Sequence, residues 1–295
     1  MFRCPKTAIV VVALMVLAGC QQGPTEYLFS GTTMGTYYNV RVVFQDDHGV
    51  PIPQSQLETA VQAALDDVNN RMSTYDKNSE LSRFNEHHST EPFGFSQETF
   101  DVIALAQQVS VLTGGAFDIT VGPLVNAWGF GPEEPLGQAP PEARIRTLME
   151  RVGYDKLVLD PAATAVAKKE PDIYCDLSAI AKGYGVDRAA EALDALGVQN
   201  YMVEVGGEVR TRGINKHGQP WHIGIEKPDS SSPMRAVTKV VTLRDQAMAT
   251  SGDYRNYYEQ NGVRISHTID PHTGHPIRHR LASVSVVQDN CALAD

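Results

Sequence analysis

Four histidines near the end of the chain form the densest group of residues that could bind a metal ion or move a proton. They are His267, His272, His275 and His279. Pro271, Gly274 and Pro276 break any helix that would align them, and no Cys-x-x-Cys pair lies nearby. The spacing therefore favours a solvated turn over a metal site for the last three. Imidazole titrates near neutrality, which makes His267 a candidate general base for a hydroxyl, with a structural histidine bonded to the following Asp-Pro turn as the alternative.

Other residues suited to chemistry lie in short segments that are dense in Gly, Asp, Thr and Tyr. Together with the histidine region, these segments occupy residues 31–36, 72–85, 114–125, 176–184, 203–208, 250–256 and 266–274. The chain contains no Walker-type loop ending in Lys-Ser or Lys-Thr, no G-x-G-x-x-G turn and no G-x-S-x-G elbow. The P-loop, dinucleotide-binding and serine-hydrolase patterns are therefore not indicated.

The first residues have the pattern of a lipoprotein leader. Arg3 and Lys6 precede an apolar run over residues 8–17, which is too short to span a bilayer and suits a signal sequence. The run ends in Leu-Ala-Gly-Cys, a lipobox in which Cys20 would carry the lipid. We therefore expect a signal peptide over 1–19, a lipidated tether over 20–29, and an exported lipoprotein anchored to a bacterial membrane and facing the periplasm. The alternative is an ordinary signal peptide with a chance cysteine.

The composition excludes some partners and limits the chemistry of the cysteines. The chain has 25 Lys and Arg against 35 Asp and Glu, a formal net charge of −10. A nucleic-acid-binding protein would carry a basic face, so no nucleic-acid partner is expected. Beyond the leader, only Cys175 and Cys291 remain. An exported compartment would permit a disulfide between them, but two small buried apolar residues are the preferred interpretation.

Apolar spacing predicts the helices and strands that must position these segments. Helices are expected from Ser55, with a capping box to Glu58, from Ser96, from Pro141 to about Arg151, and from a Ser178 cap to Leu196. Strands are expected from about Gly35 to Phe44 and over 201–205, 221–226, 237–243, 263–269 and 283–287. Helices and strands are thus partly segregated, which predicts a single α+β domain over 30–295 with largely antiparallel sheets and flanking helices.

In this order, the seven segments resemble the ApbE family, the FAD:protein FMN transferases. The similarity includes M-S-T-Y at 72–75, G-G-A-F-D-I-T at 114–120, D-L-S-A-I-A-K-G-Y at 176–184 and S-H-T-I-D-P at 266–271. The resemblance implies a T-fold-related α+β domain. It also implies an enzyme that cleaves the FAD pyrophosphate, releases AMP and joins FMN through a phosphoester to a Thr or Ser hydroxyl of another protein. The lipobox agrees with it, because many family members are exported lipoproteins.

The resemblance further implies Mg²⁺ on the phosphates of the substrate. Its ligands would be the backbone carbonyl of Ala179 and the carboxylate of Asp295. Family members usually add a hydroxyl four residues after this aspartate, so part of the family's C-terminal region is expected to be missing from this sequence. The alternative for Asp295 is a frayed terminus.

For FAD, the resemblance implies eight binding residues: Met34, Tyr75, Gly115, Ala116, Phe117, Asp176, Lys182 and Ile269. Met34 and Tyr75 offer apolar and aromatic faces for rings, and Gly115 allows a close approach of the backbone. Lys182 would meet phosphate charge, and Asp176 would accept a hydrogen bond from a ring or a ribose. The alternatives are core residues for Met34 and Tyr75 and an ordinary solvated lysine for Lys182.

The expected acceptors carry D-x-x-[ST]-[GS]-A-[ST], as in redox subunits of Na⁺-pumping (Nqr) or Rnf-type complexes. No stretch of this chain matches that motif, which favours the modifying enzyme over a flavin carrier. Two other functions remain open: an FAD pyrophosphatase that releases free FMN and AMP, and a lipoprotein that binds a flavin without chemistry. Release of AMP that depends on Mg²⁺ distinguishes either enzyme from the binder.

Overall fold

The computed structural model describes residues 23–45, 51–133, 138–227, 236–252, 256–279 and 281–295. The expected signal peptide, the lipidation at Cys20 and the first residues of the tether lie outside these ranges. Residues 25–29, which were expected in the tether, lie in a β-strand, so regular structure begins earlier than the sequence indicated. None of the helices described is both long and apolar enough to cross a membrane.

Within these ranges, helices alternate with strands through the first two thirds of the chain, and strands dominate the rest. The helices are α1 (Gln54–Met72), α2 (Glu80–Glu86), α3 (Gln97–Leu112), α4 (Gly122–Ala127), α5 (Glu142–Met149), α6 (Ala181–Ala195) and α7 (Cys291–Ala294). The strands are β1 (Thr25–Thr33), β2 (Thr36–Phe44), β3 (Phe93–Gly94), β4 (Leu157–Asp160), β5 (Ala165–Lys168), β6 (Tyr201–Val205), β7 (Glu208–Arg212), β8 (Trp221–Glu226), β9 (Val237–Leu243), β10 (Ala247–Gly252), β11 (Tyr257–Gln260), β12 (Val263–Ser266) and β13 (Ser283–Gln288).

A six-stranded antiparallel sheet in the order β1-β2-β6-β7-β10-β13 forms the centre of the fold. Helices α1 and α6 pack against each other and against this sheet. Leu57, Val61 and Leu65 of α1 recur every four residues and share a buried cluster with Val40 of β2 and Val203 of β6. The predicted α+β class and the antiparallel pairing are confirmed.

A second core lies around a small sheet in the order β3-β5-β4, with α2 and α3. Phe84, Phe93 and Phe95 form its aromatic part, with ring centroids 4.9 to 5.6 Å apart. A third and smaller core surrounds Trp128. Segments 117–124 and 176–186 run between these cores, so the conformation of the segments that carry candidate site residues depends on how the cores pack.

The predicted capping box at the start of α1 is wrong. The helix begins at Gln54, directly after Pro53, and has no side-chain cap. Ser55 lies inside the helix, where its carbonyl accepts the hydroxyl of Thr59 at 2.8 Å. The fixed φ of a proline is already compatible with a helical start, so the chain turns before the serine is reached.

The predicted cap of α6 at Ser178 is also wrong, whereas the predicted cap of α3 at Ser96 and the start of α5 at Pro141 are confirmed. The Oδ1 atom of Asp176 accepts the Ser178 N–H at 2.8 Å and holds this segment in a turn, so α6 begins only at Ala181. Ser96 caps α3 by accepting the backbone N–H of its third residue, and Pro141 directly precedes α5.

The strand predictions hold with small shifts at the ends. The strands expected over 201–205, 221–226 and 237–243 are confirmed. The strand expected over 283–287 extends to residue 288. Strand β12 ends at Ser266 instead of residue 269, because the backbone of Ile269 forms an isolated bridge with Pro276. Among the described elements, strands β1, β3, β4, β5, β7, β10 and β11 and helices α2, α4 and α7 were not predicted.

Cys175 and Cys291 are both free and buried. Burial raises the pKa of Cys175 to about 12 and also raises the pKa of Cys291. The preferred interpretation of both as small buried residues is confirmed, and the alternative of a disulfide between them is wrong.

Helices α6 and α7 are in unusually close contact. A Cβ atom at Gly183 would lie 2.4 Å from the carbonyl oxygen of Cys291 and 2.7 Å from Cβ of Asp295. One turn further along α6, the Asp187 carboxylate accepts the first two backbone N–H groups of α7 at 2.9 Å and pairs with Arg210 at 2.7 Å. This junction holds Asp295, the residue after α7, against the start of α6.

We expect Gly183→Ala to destabilise the protein by about 1–3 kcal/mol, because the added methyl overlaps the backbone of α7. The gain from replacing a helical glycine by alanine, about 1 kcal/mol, does not offset an overlap with backbone atoms. Gly94→Ala is the matched control, because a Cβ atom there meets nothing within 4 Å. Thermal unfolding measures both variants, and equal melting temperatures would contradict the close α6–α7 contact.

Candidate active site

The start of α6 brings together charged side chains from three distant parts of the sequence. The Nζ atom of Lys182 lies 2.9 Å from Oε1 of Glu208 and 3.3 Å from Oδ1 of Asp295. Burial by itself would lower the pKa of Lys182, but the two carboxylates outweigh it and raise that pKa. Lys182 is therefore held as a paired cation at the N-terminal end of a helix, which is a favourable place for phosphate groups. It is not the ordinary solvated lysine that was the alternative.

The backbone N–H of Gly183 bonds Asp295 and not the carbonyl of Ala179. In a regular helix the N–H of Gly183 would bond to the carbonyl of Ala179, four residues earlier. It donates instead to Oδ2 of Asp295 at 2.9 Å. Among the described residues, no backbone N–H outside the regular helices and strands donates to the carbonyl of Ala179, and Ala179 is an exposed residue. A carbonyl oxygen and a carboxylate are hard oxygen donors, so these residues fit Mg²⁺.

Asp176 connects this region to the aromatic part of the site. Its backbone N–H donates to the carbonyl of Ile119 at 2.7 Å, and its side chain is buried. Burial raises the pKa of Tyr75, and the nearby Asp176 carboxylate raises it further. The charge of Asp176 therefore acts on Tyr75, although the two residues lie 101 positions apart in the sequence.

Met34 occupies a strained turn between β1 and β2. Its φ of 48° lies in the left-handed region, which is uncommon for a residue with a side chain, and Gly35 follows with a φ of 71°. A Cβ atom at Gly185 of α6 would lie 2.8 Å from Cε of Met34, so the methionine side chain lies against α6. The turn also borders an open cleft of about 520 Å³, whose far wall includes Asp66 and Asn69 of α1.

The loop that carries Gly115, Ala116 and Phe117 lies against the histidine segment. Gly114 and Gly115 have φ values of 61° and 85°, which only glycine adopts freely. The Nε2 atom of His272 lies 3.1 Å from the carbonyl oxygen of Gly114. Ala116 is exposed, whereas Phe117 is half-buried against the second core. The loop is thus anchored by Phe117 and presents Ala116 to solvent.

Tyr75 and His267 both contact Phe130. The hydroxyl of Tyr75 donates to the Phe130 carbonyl at 3.3 Å, and the rings of His267 and Phe130 have centroids 6.2 Å apart. Tyr75 is 69% exposed and is therefore not a core residue. The Nδ1 atom of His267 lies 3.0 Å from the carbonyl oxygen of Asn256. Because a carbonyl only accepts hydrogen bonds, Nδ1 carries the proton of a neutral ring and Nε2 carries the lone pair.

Ile269 and the later histidines make structural contacts. The side chain of Ile269 is 7% exposed and packs in the third core. His272 is exposed, and His275 lies against the ring of Trp128 with centroids 5.9 Å apart. Within the described ranges, no three His, Cys, Asp or Glu side chains are placed to hold a metal ion. Residues 271–273 form a turn, as the sequence predicted.

Sequence reasoning assigned no role to Glu208 or Asp187. The Glu208 side chain is only 4% exposed, and it directly follows the Gly206-Gly207 turn that joins β6 to β7. Glu208 lies in one of the seven segments and follows two glycines, and this position could have marked it as a candidate site residue. Nothing in the local sequence indicates that Asp187 binds α7, because their contact spans 104 residues.

Comparisons with known proteins agree with these observations. An FAD:protein FMN transferase of Vibrio cholerae is 46% identical over 287 residues, which cover 97% of this chain and 84% of the relative. A Haemophilus influenzae protein of the same name is 45% identical over 293 residues, with 98% and 84% coverage. Among solved structures, the flavin transferase ApbE from Vibrio cholerae matches with a TM-score of 0.83 at 45% identity, covering 92% of this chain and 84% of that chain.

A second solved structure, the apo form of the flavinyl transferase ApbE from Pseudomonas stutzeri, matches with a TM-score of 0.80 at 36% identity and covers 92% of this chain and 82% of that chain. The model of the ApbE family matches residues 34–295, which include every candidate site residue except the lipidation site. Sequence and fold thus agree over almost the whole described domain, and this chain belongs to the ApbE family.

Proposed function

We propose that this protein is an enzyme that transfers FMN from FAD to a Thr or Ser hydroxyl of an acceptor protein and releases AMP. The observation that carries the proposal is the group at the start of α6, where the paired ammonium of Lys182 meets the Asp295 carboxylate at a helix N-terminus and the Gly183 N–H bonds Asp295 in place of the Ala179 carbonyl. Such a site suits a pyrophosphate with its cation. The names of the relatives support the same reaction.

The flavin-binding residues of the proposal are those named from the sequence: Met34, Tyr75, Gly115, Ala116, Phe117, Asp176, Lys182 and Ile269. The exposed ring of Tyr75 and the strained turn at Met34 support binding of flat rings, because strain is retained where a function requires it. Ile269 would contribute through its backbone, since its side chain packs in the third core.

Ala179 and Asp295 would hold Mg²⁺, which when bound neutralises charge on the phosphates. Lys182 would offset the remaining phosphate charge and stabilise the AMP phosphate as it leaves. His267 would accept the proton of the acceptor hydroxyl through Nε2, while the Asn256 carbonyl keeps the proton on Nδ1. The acceptor oxygen would then attack the FMN phosphorus, and the bond to the AMP phosphate would break.

The proposed acceptors are redox proteins with a D-x-x-[ST]-[GS]-A-[ST] motif, including Nqr- and Rnf-type subunits. The proposed location is the periplasmic side of a bacterial membrane, with Cys20 as the lipid-bearing residue. The leader pattern of residues 3–20 supports this location.

The purified protein, incubated with FAD, Mg²⁺ and an acceptor that bears this motif, is expected to release AMP and to raise the acceptor mass by one FMN. Chromatography of AMP and intact mass of the acceptor are the measurements, with EDTA as the control that abolishes both signals. Release of AMP without a mass shift would indicate a pyrophosphatase instead, and the absence of both signals would overturn the proposal.

His267→Ala is expected to slow FMN transfer by roughly 10²–10⁴-fold, the usual contribution of a general base, because no imidazole then accepts the hydroxyl proton. FAD binding, followed by flavin fluorescence, should be retained. His279→Ala is the matched control, since His279 is an exposed histidine twelve positions later in the chain. Unchanged transfer by the His267 variant would remove this residue from the mechanism.

A further inference from the structure

Glu208 is a buried carboxylate with an incomplete set of partners. Its Oε1 accepts from Lys182 at 2.9 Å, whereas its Oε2 is buried without a hydrogen-bond partner among the described residues. Burial raises the pKa of Glu208, and the charge of Lys182 opposes this change. A buried carboxylate that keeps one oxygen unpaired is costly, so the structure retains Glu208 for its contact with Lys182.

The two carboxylates beside Lys182 are held in different ways. Glu208 begins β7, an inner strand of the six-stranded sheet, and pairs with Val205 across the β6–β7 turn. Asp295 has a second partner of its own, the N–H of Gly183 at 2.9 Å. The contact of Lys182 with Glu208 is also the shorter of its two ion pairs. If Asp295 turns toward another cation, Lys182 therefore keeps one carboxylate and Asp295 keeps one hydrogen bond.

Lys182 and a divalent cation would compete for the same oxygen atoms of Asp295. A lysine with only one carboxylate partner would stay on Asp295, and the cation would have to displace it. A second carboxylate lets the half-buried ammonium leave Asp295 without losing its last charged partner.

We propose that Glu208 is a positioning residue that retains Lys182 at the start of α6 and thereby frees Asp295 for the divalent cation. The inference rests on the proposed function, because it concerns the cation and the phosphate-facing lysine of that site. Glu208 acts through Lys182 and does not itself bind the cation.

Glu208→Gln tests this role, because glutamine keeps the shape and an accepting oxygen but removes the charge. Titration calorimetry with Mg²⁺ alone, without FAD, is expected to show roughly tenfold weaker binding, since Lys182 then stays on Asp295. Glu204→Gln is the matched control on the neighbouring strand: it removes a carboxylate that bonds the Gly207 N–H and has no contact with Lys182, and it should bind Mg²⁺ as the unaltered protein does.

A double-mutant cycle with Lys182→Met separates this role from a direct one. Lys182→Met should bind Mg²⁺ more tightly than the unaltered protein, because the competing ammonium is gone. Adding Glu208→Gln to that variant should then change Mg²⁺ binding less than twofold. An equal tenfold loss in both backgrounds would mean that Glu208 acts directly on the cation, and it would overturn the inference.

The kinetics add a readout that a merely structural residue would not change. The transfer rate of Glu208→Gln should recover at high Mg²⁺ concentration, because mass action restores the cation to Asp295. A rate that stays low at saturating Mg²⁺ would overturn the inference, as would Mg²⁺ binding equal to that of the unaltered protein.

Assays of the unaltered protein separate a failure of the proposed function from a failure of the proposed role of Glu208. If it neither releases AMP nor modifies the acceptor, the proposed function fails. If it does both and the Glu208 variant binds Mg²⁺ normally, only the role of Glu208 fails. Should Glu208→Gln not fold, Lys182→Met alone decides, since Mg²⁺ binding no tighter than that of the unaltered protein would contradict the competition.

Discussion

The arrangement of the site depends on one buried carboxylate, that of Asp187. It accepts the first two backbone N–H groups of α7 and pairs with Arg210 of β7, so it connects α6, α7 and the central sheet. A helix as short as α7 is not stable by itself and takes its position from such contacts. Because Asp295 follows α7 directly, its approach to Lys182 is set by Asp187 and by the small volume of Gly183.

The other site residues depend on the same helix through different contacts. Met34 reaches α6 from the turn between β1 and β2, at the expense of a left-handed backbone. Asp176 fixes the segment before α6 and so delays the start of the helix past Ala179. The first turn of α6 thereby receives side chains from the sheet, from α7 and from the preceding loop. The proposed site for phosphates and a cation depends on those three contributions together.

Local patterns predicted the elements whose signals lie within a few residues. The four-residue spacing of Leu57, Val61 and Leu65 predicted α1, and the cap at Ser96 predicted α3, because helical periodicity and N-caps are local properties. The caps expected at Ser55 and Ser178 failed for another reason. In each case a neighbouring residue, Pro53 or Asp176, had a stronger effect on where the helix begins than the serine did.

The sequence by itself determined the family, the α+β class and the residue types that the reaction needs, since these follow from motifs and periodicity along the chain. It named Lys182 and Asp295 as separate candidates, but only the tertiary structure decided that they meet and that Glu208 joins them. The contacts of Lys182 with Glu208 and Asp295 link residues 26 and 113 positions apart. No local pattern encodes such contacts, because they result from the packing of the whole core around α6.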